Sequence, residues 1–501
     1  MNRPNIVFII TDQHHHGVMG NAGDPYIKTP NMDALAAQGT KFDNAYSNCP
    51  VCVPARMSLL SGQLPIDHRV LLNEATLDPN IPTYAHSMNI GGYETVLAGR
   101  MHLYGADQYR GNEKRLTGDN TPIYVGYDNL TTNIGNEYKF TILQKREGIE
   151  KSGGGNCIVQ NYDNAVTKDV VEYLQTRQDE RPLMLTVGLF SPHPPFISDV
   201  EKFKYYYELI DDAPIHPQFE ANIHPAIVDW KKRRHLEDIT NEEWRRLRAA
   251  YYANTEFLDE SIGKIIEAAR EKLGDNTIFI YTSDHGESMG INGLVWKTTF
   301  FECSVKIPMI VAGPGIEKNR VVSELVCLND LTRTFVEYGE GPELPKAYGQ
   351  SLKKVWEGKE TIDPERSIIS QIGTYGKDLN DMDWPSAMIR KGVYKLISYH
   401  GYDKASLYDV TQDPLCGNDL TDNPDYEAIK TEMLDELNQS WDGQKALDYC
   451  VESMNNFFIM KEWANKTKFP LMEKFFNGLT GTITDNFRMN PEENYISVKK
   501  A

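Results

Sequence analysis

Two apolar runs, far apart in the chain, each end on a carboxylate, and together they restrict the fold more than any other feature. The first is Pro4-Asn5-Ile6-Val7-Phe8-Ile9-Ile10-Thr11-Asp12-Gln13; the second is Thr277-Ile278-Phe279-Ile280-Tyr281-Thr282, followed by Ser283-Asp284-His285-Gly286-Glu287. Both are continuous rather than alternating and too short for an ordinary helix, which is the pattern of a strand buried on both faces of a parallel sheet. Ligands of open α/β sheets gather at the carboxyl ends of the strands, so Asp12 and Asp284 stand where chemistry is expected. Leu183 to Phe190 and Ile307 to Ala312 read as further buried strands. Thr29 suits a helix cap, Pro30 a first turn and Gly39 a stop, predicting a helix between them. From Thr240 to Leu273 the capping pair Thr240/Glu243 and the spacing of Leu258, Ile262, Ile265, Ile266 and Ala269 predict a long helix packed on one face.

Between these elements lies Cys52-Val53-Pro54-Ala55-Arg56, set just after a turn and opening an apolar helix. A cysteine two residues before a proline and four before an arginine is the pattern that maturation enzymes convert to formylglycine, an aldehyde. The two strand-end acids and an oxygen on residue 52, with His285 as the one nitrogen, make a donor set that suits Ca²⁺, Mg²⁺ or Mn²⁺ better than a thiolate-rich zinc site. Cys49 and Cys52 have redox-pair spacing, but no second such pair exists and neither redox nor zinc chemistry needs Pro54 or Arg56. Adjacent histidines diverge in direction, so His14-His15-His16 is expected as a solvated loop at a pocket rim. His68 and Arg69 are expected to support the helix that carries Cys52.

These segments, with Gly99-Arg100-Met101-His102, Ser191-Pro192-His193-Pro194-Pro195-Phe196 and Lys297, resemble the type I sulfatases of the alkaline-phosphatase-like superfamily. Within that group the chain is most similar to the choline-sulfatase and phosphonate-monoester-hydrolase branch, in which the first acid is followed by glutamine and the second by histidine. The resemblance implies an α/β fold: a large, mostly parallel mixed sheet flanked by helices, and a smaller C-terminal α+β subdomain with an antiparallel sheet. It implies hydrolysis of a sulfate ester by formylglycine at position 52. The metal ligands would be Asp12, residue 52, Asp284 and His285, and the ion Ca²⁺ first, with Mg²⁺ or Mn²⁺ as alternatives. Arg56 would hold the nucleophile and the metal carboxylates, and His102 would take the proton that lets the sulfated enzyme collapse. His193 and Lys297 would bind sulfate and protonate the departing oxygen. Gln13 would add a ligand or point its amide at the sulfate, and Asn73 would contact sulfate or substrate. Many members have lysine where this chain has Arg100; arginine keeps the charge and a two-donor grip but cannot shuttle a proton. The same pocket could accept a phosphate or phosphonate ester. An unmodified Cys52 would leave a silent binder of sulfated ligands.

The chain's 501 residues suit a catalytic domain over 1–360 and a C-terminal subdomain over 361–501. There Ser367–Ile372, Ala387–Tyr399 and Ser406–Val410 read as short strands, with Lys391-Gly392 as a hairpin turn. Two polar, aromatic insertions, about 105–160 and 197–240, are expected to select substrate. The apolar tail after about 440 is expected to pack on its own chain or on a second copy, which would make a homo-oligomer. The formal charge of −19 argues against nucleic acid as partner, and also opposes an anionic substrate, so the pocket must be locally positive. The expected partners are therefore a carbohydrate or small-molecule sulfate ester such as choline sulfate, and a formylglycine-generating enzyme during maturation. No apolar stretch is long enough to span a membrane. With no leader in the sequence, the expectation is cytoplasmic, or periplasmic or secreted if a signal was removed.

Overall fold

A computed structural model describes residues 3–105, 107–119, 144, 146–373, 383–467 and 495–496. Eight strands make the central sheet: β1 (Asn5–Asp12), β2 (Gly39–Phe42), β3 (Glu94–Gly99), β4 (Lys114–Arg115), β5 (Leu183–Pro192), β6 (Thr277–Ser283), β7 (Met309–Ala312) and β8 (Arg320–Val322). Their spatial order is β8-β2-β7-β6-β1-β5-β3-β4. The two sequence-predicted strands lie side by side and parallel, with Thr11 opposite Ser283, while Asp12 faces Pro192 on the other side. Among the described strands of this sheet only β7 runs against its neighbours, β6 and β2. Apolar content predicts that strand but carries no sign of its direction.

Alternate side chains of β1 enter different cores, as a two-sided strand must. Ile6, Phe8 and Ile10 join one core and Val7 and Ile9 the other, all essentially without exposure; each such side chain contributes about 1.5–3 kcal/mol of burial. The helices covering the sheet are α1 (Pro30–Ala37), α2 (Cys52–Ser61), α3 (Ile158–Thr176), α4 (Asn241–Leu273) and α5 (Leu328–Gly339). Apolar residues of α2 and α5 pack with Ile6 and Phe8, whereas α1, α3 and the C-terminal half of α4 pack with Val7 and Ile9. The capping box predicted for α4 forms: Thr240 Oγ1 accepts from Glu243 N at 3.2 Å and Glu243 Oε2 accepts from Thr240 N at 2.7 Å.

The antiparallel subdomain sheet is β9 (Ser367–Ile372), β10 (Ser386–Lys391), β11 (Tyr394–Tyr399) and β12 (Ser406–Asp409), paired in that order. Gly392 takes the left-handed conformation (φ 51°) that the turn between β10 and β11 requires. Helix α6 (Glu427–Leu437) packs on β10 and β11, and α7 (Gly443–Thr467) follows it. In α7, Ala446, Cys450 and Met454 are buried, and Tyr449 lies under the Arg69 guanidinium at 4.7 Å. The start of the tail thus packs on its own chain, while its remainder lies outside the described residues apart from 495–496.

Two expectations change. Gly39 does not stop α1, which ends at Ala37 with Gln38 as its C-cap; it opens β2, where a Cβ would come within 1.9 Å of the Val311 carbonyl. Glycine is needed there for strand approach. The segment 105–160 is not wholly an insertion, because β4 extends the sheet beside β3; residues 106, 120–143 and 145 lie outside the described part. The segment 197–240 is built of short helices, Val200–Leu209, Phe219–Asn222 and Pro225–Arg233.

Candidate active site

The carboxyl ends of β1, β6, β5 and β3 converge, and each delivers part of one buried cluster. Asp12 leaves β1, Asp284 and His285 follow β6, His193 follows β5, and Arg100 and His102 follow β3. Cys52 is the first residue of α2, so the positive end of that helix points into the cluster.

Donor atoms of Asp12, Cys52, Asp284 and His285 all lie within 4.8 Å of one another, and all four side chains are buried. Cys52 Sγ is 3.1 Å from His285 Nε2 and 3.6 Å from Asp12 Oδ1. His285 Nδ1 donates to the Gly286 carbonyl at 3.1 Å, which leaves the Nε2 lone pair facing the cluster, as a metal-binding imidazole requires. Two carboxylates, one imidazole and a fourth donor on residue 52 form a hard, compact set that fits a divalent cation. Burial and the nearby Asp12 push the Cys52 thiol up to about 12. Unmodified, it would be a protonated and inert nucleophile near neutral pH.

Arg56 and Arg100 balance the acids. Arg56 Nε donates to Asp284 Oδ2 at 2.8 Å, Nη1 to the Arg100 carbonyl at 2.7 Å and Nη2 to the Thr11 carbonyl at 3.1 Å. Arg100 Nε donates to Asp12 Oδ2 at 2.5 Å, and its guanidinium lies 3.9 Å from the centre of the Phe190 ring. Burial alone would raise the Asp12 carboxyl, but the surrounding cations, Arg100 foremost, hold it well below the usual carboxylate range.

The two histidines carry opposite tautomers. Arg100 Nη2, which can only donate, lies 2.7 Å from His102 Nδ1; that nitrogen therefore holds the lone pair, and Nε2 of the neutral ring holds the proton. Burial and then Arg100 keep His102 neutral. His193 is reversed: Nδ1 donates to the Pro194 carbonyl at 2.8 Å, and Nε2 accepts from Lys297 Nζ at 3.1 Å. Burial and then Lys297 depress its pKa as well.

Gln13 and Asn73 both have partners within the chain. Gln13 (φ 72°) puts its amide between Lys297 and Glu287: Oε1 accepts from Lys297 Nζ and Nε2 donates to Glu287 Oε2. Asn73 Oδ1 accepts from Val53 N at 3.0 Å, so it braces the first turn of α2. The histidine tract is not a solvated rim. His14 is fully buried against Tyr281 OH and the Val18 carbonyl, and burial lowers its pKa to about 4; His15 is buried too and is lowered to about 3. His68 supports α2 as expected, its Nε2 lying 2.9 Å from Ser58 Oγ.

Glu287 and Asp119, both buried at the site, received no role from the sequence. Glu287 takes the Gln13 amide together with Met289 N (2.9 Å) and Trp296 N (2.6 Å), and burial raises its pKa. Its place three residues after Asp284 was the available signal. Asp119 bonds the turn that carries Arg100 and His102, and it sits in a stretch whose polarity reads as an exposed insertion.

Residues 4–341 match the sulfatase family, and residues 290–442 match the C-terminal region of N-sulphoglucosamine sulphohydrolase. Choline-sulfatase of Rhizobium meliloti (strain 1021) is 32% identical over 482 residues, covering 92% of this chain and 91% of that protein. The ulvan-active sulfatase of Formosa agariphila is 28% identical over 497 residues, covering 95% and 88%. Among solved structures, phosphonate monoester hydrolase of Agrobacterium radiobacter superposes with TM-score 0.70 at 21% identity, covering 87% of this chain and 95% of that one. A protein in complex with its substrate D-glucosamine-2-N,6-O-disulfate superposes with TM-score 0.70 at 19% identity, covering 89% and 98%. At these identities the structural likeness establishes the fold.

Proposed function

The chain belongs to the sulfatase family, and from that premise we propose how its residues divide the hydrolysis of a sulfate ester. It is a sulfuric ester hydrolase. The observation that carries the assignment of roles is the convergence of Cys52 with Asp12, Asp284 and His285 inside 4.8 Å. Those four residues would hold a divalent cation, Ca²⁺ first and Mg²⁺ or Mn²⁺ as alternatives. When present, the cation supplies Lewis acidity at residue 52, and formylglycine made from Cys52 supplies the attacking oxygen.

Arg56 fixes the two strand-end carboxylates against each other, bonding Asp284 Oδ2 and lying 3.5 Å from Asp12 Oδ2. Arg100 neutralises Asp12 and presents a delocalised cation to the sulfate. Lys297 gives two of its three donors to Gln13 and His193; the third is left for the ester oxygen that departs. His193 steadies that ammonium rather than meeting substrate as a free base. His102, with Nδ1 occupied by Arg100, offers Nε2–H as a donor to developing negative charge. It can take a proton only after Arg100 releases Nδ1. Asn73 and Gln13 act through their neighbours, on the α2 turn and on Lys297. We read residues 1–360 as the catalytic domain and 361–501 as a C-terminal subdomain. For the alcohol, we propose a small-molecule or carbohydrate group. The 32% identity to a choline-sulfatase favours choline sulfate as the first ester to try.

The test is mass spectrometry of the peptide containing residue 52, from protein made together with a formylglycine-generating enzyme, followed by turnover of choline, aryl and sugar sulfates beside a phosphonate ester of the same leaving group. An aldehyde at residue 52 with preference for sulfate is the expected result. A persistent thiol, with the maturation enzyme active on a control, would overturn the mechanism and favour a silent binder; preference for the phosphonate would overturn the substrate class.

A further inference from the structure

Residues 114–119 run beside the end of β3 and grip the turn that follows it at several points. Leu116 N donates to the Leu97 carbonyl at 2.9 Å, Gly99 N to the Thr117 carbonyl at 3.0 Å, and Arg115 Nη2 to the Gly99 carbonyl at 2.8 Å. The Asp119 carboxylate then takes the turn itself. Its Oδ2 accepts from Met101 N at 2.9 Å, from His102 N, and more distantly from Leu103 N at 3.4 Å. Its Oδ1 lies 3.7 Å from Arg100 Nη1, and Oδ2 lies 4.0 Å from Arg115 Nη2. Asp119 is 2% exposed.

The turn needs this support. Gly99 (φ 75°) and His102 (φ 56°) both lie in the left-handed region, and for a histidine that conformation persists only where its surroundings impose it. Three consecutive N–H groups pointing to one side form a concavity that suits an anion, and Asp119 supplies the anion from within the chain. The segment is tied down from behind, because Tyr162 OH donates to the Gly118 carbonyl at 2.7 Å and Thr117 Oγ1 to Asp169 Oδ2 at 2.7 Å. Both Tyr162 and Asp169 belong to α3.

We propose that Asp119 is a positioning residue of the active site: through the backbone of residues 101–103 it sets where His102 presents its ring and where Arg100 meets Asp12. The inference rests on the roles proposed above for Arg100 and His102. It also gives part of the 105–160 segment a function other than substrate selection.

The experiment compares Asp119→Asn, which keeps the shape and loses the charge, with Asp119→Ala, each alone and combined with His102→Ala. Misplacing a catalytic group by about 1 Å costs roughly 100-fold in rate, so Asp119→Ala is expected to lower kcat by about that factor with KM within a few-fold. Asp119→Asn is expected to fall between it and the parent, and remains informative if the alanine variant folds poorly. In the His102→Ala background the Asp119 effect should shrink to the part that passes through Arg100, because Asp119 and His102 act through one turn. A readout independent of turnover is the imidazole ¹⁵N spectrum of the unmodified Cys52 protein. Its His102 signal should show the Nε2–H tautomer in the parent and averaged tautomers in both Asp119 variants. Full additivity with His102→Ala, or an unchanged His102 signal in both variants, would overturn the proposal. Full activity of His102→Ala alone would instead overturn the role given to His102, while the ¹⁵N signal would still decide whether Asp119 holds its ring.

Discussion

Replacing Arg56 by methionine removes the cation that joins the ends of β1 and β6. Its guanidinium bonds Asp284 Oδ2 (2.8 Å), the Arg100 carbonyl (2.7 Å) and the Thr11 carbonyl (3.1 Å), and it lies 3.5 Å from Asp12 Oδ2, with both side chains of that pair fully buried. Methionine is long and apolar, so the cavity contribution stays small and the electrostatic loss dominates. The Thr11 carbonyl keeps a partner in Asp284 N at 3.2 Å, whereas Asp284 Oδ2 and the Arg100 carbonyl lose a donor. Breaking a buried ion pair from one side costs about 3–5 kcal/mol, and the orphaned carbonyl places the sum toward the upper end. A divalent cation seated on the same carboxylates would return the missing positive charge. Urea unfolding followed by tryptophan fluorescence, for parent and Arg56→Met in EDTA and in millimolar calcium, measures both effects. The expected loss is about 3–5 kcal/mol in EDTA and less than half of that in calcium. A loss under about 1 kcal/mol in EDTA, the size of an ordinary exposed pair, would refute the buried-pair reasoning. Equal losses in the two media would refute the carboxylates as a cation site.

Other expectations follow from single contacts. Gly188→Ala would set a Cβ 1.7 Å from the Arg100 carbonyl, so the turn must move; thermal melting should show a loss of about 1–3 kcal/mol, with turnover falling at least tenfold. His68 accepts from Val70 N at 3.1 Å, and burial lowers its pKa to about 3. The unfolded chain therefore binds a proton there below pH 6.5 that the folded chain refuses, and stability falls as the pH drops from 6.5 toward 3. In His68→Gln, denaturation between pH 6 and 4 should lose about 1.4 kcal/mol less per pH unit than in the parent; an unchanged slope would contradict the buried neutral ring. Inorganic sulfate should bind the unmodified Cys52 protein at least about tenfold more tightly in calcium than in EDTA by calorimetry, a difference of about 1.4 kcal/mol. Equal affinities would contradict a cation at the sulfate site.

The parts of this site that were legible in the sequence are those carried by local pattern. Asp12 and Asp284 stand out because each ends an apolar run, and the parallel register of Thr11 with Ser283 then brings them together without further information. Cys52 and Arg56 share one helix, so four-residue spacing alone puts both toward the same cluster. The misread residues depend on partners distant in sequence. His14 looks like part of a polar tract until Tyr281, on the neighbouring β6, offers it a hydroxyl. Gly39 looks like a helix stop until the Val311 backbone occupies the space its side chain would need. Asp119 and Glu287 take their hydrogen bonds from backbone N–H groups and an amide, and no residue type in the sequence advertises such partners. The reversed direction of β7 was hidden for a similar reason, since strand polarity is set by the connection and not by composition.

The charge of the site bears on how an acidic protein holds an anionic substrate. The chain carries −19 formally, with 52 basic against 71 acidic residues, so long-range steering opposes a sulfate ester. The cluster does not reverse that field with its side chains alone. Arg56, Arg100 and Lys297 contribute three positive charges, and Asp12 and Asp284 two negative ones, with Glu287 adding a third wherever it is ionised. Asp119 and Arg115 nearby cancel each other. The side chains therefore leave the pocket between neutral and +1, held in a buried setting where a remaining charge is poorly screened. A divalent cation on Asp12, Asp284 and His285 would raise it to between +2 and +3 without any change in the protein. The arginines are already committed to the acids, which makes their main service the close packing of two carboxylates that would otherwise repel. On the roles proposed above, attraction of the sulfate would then fall chiefly to the cation, with Arg100 and Lys297 adding to it.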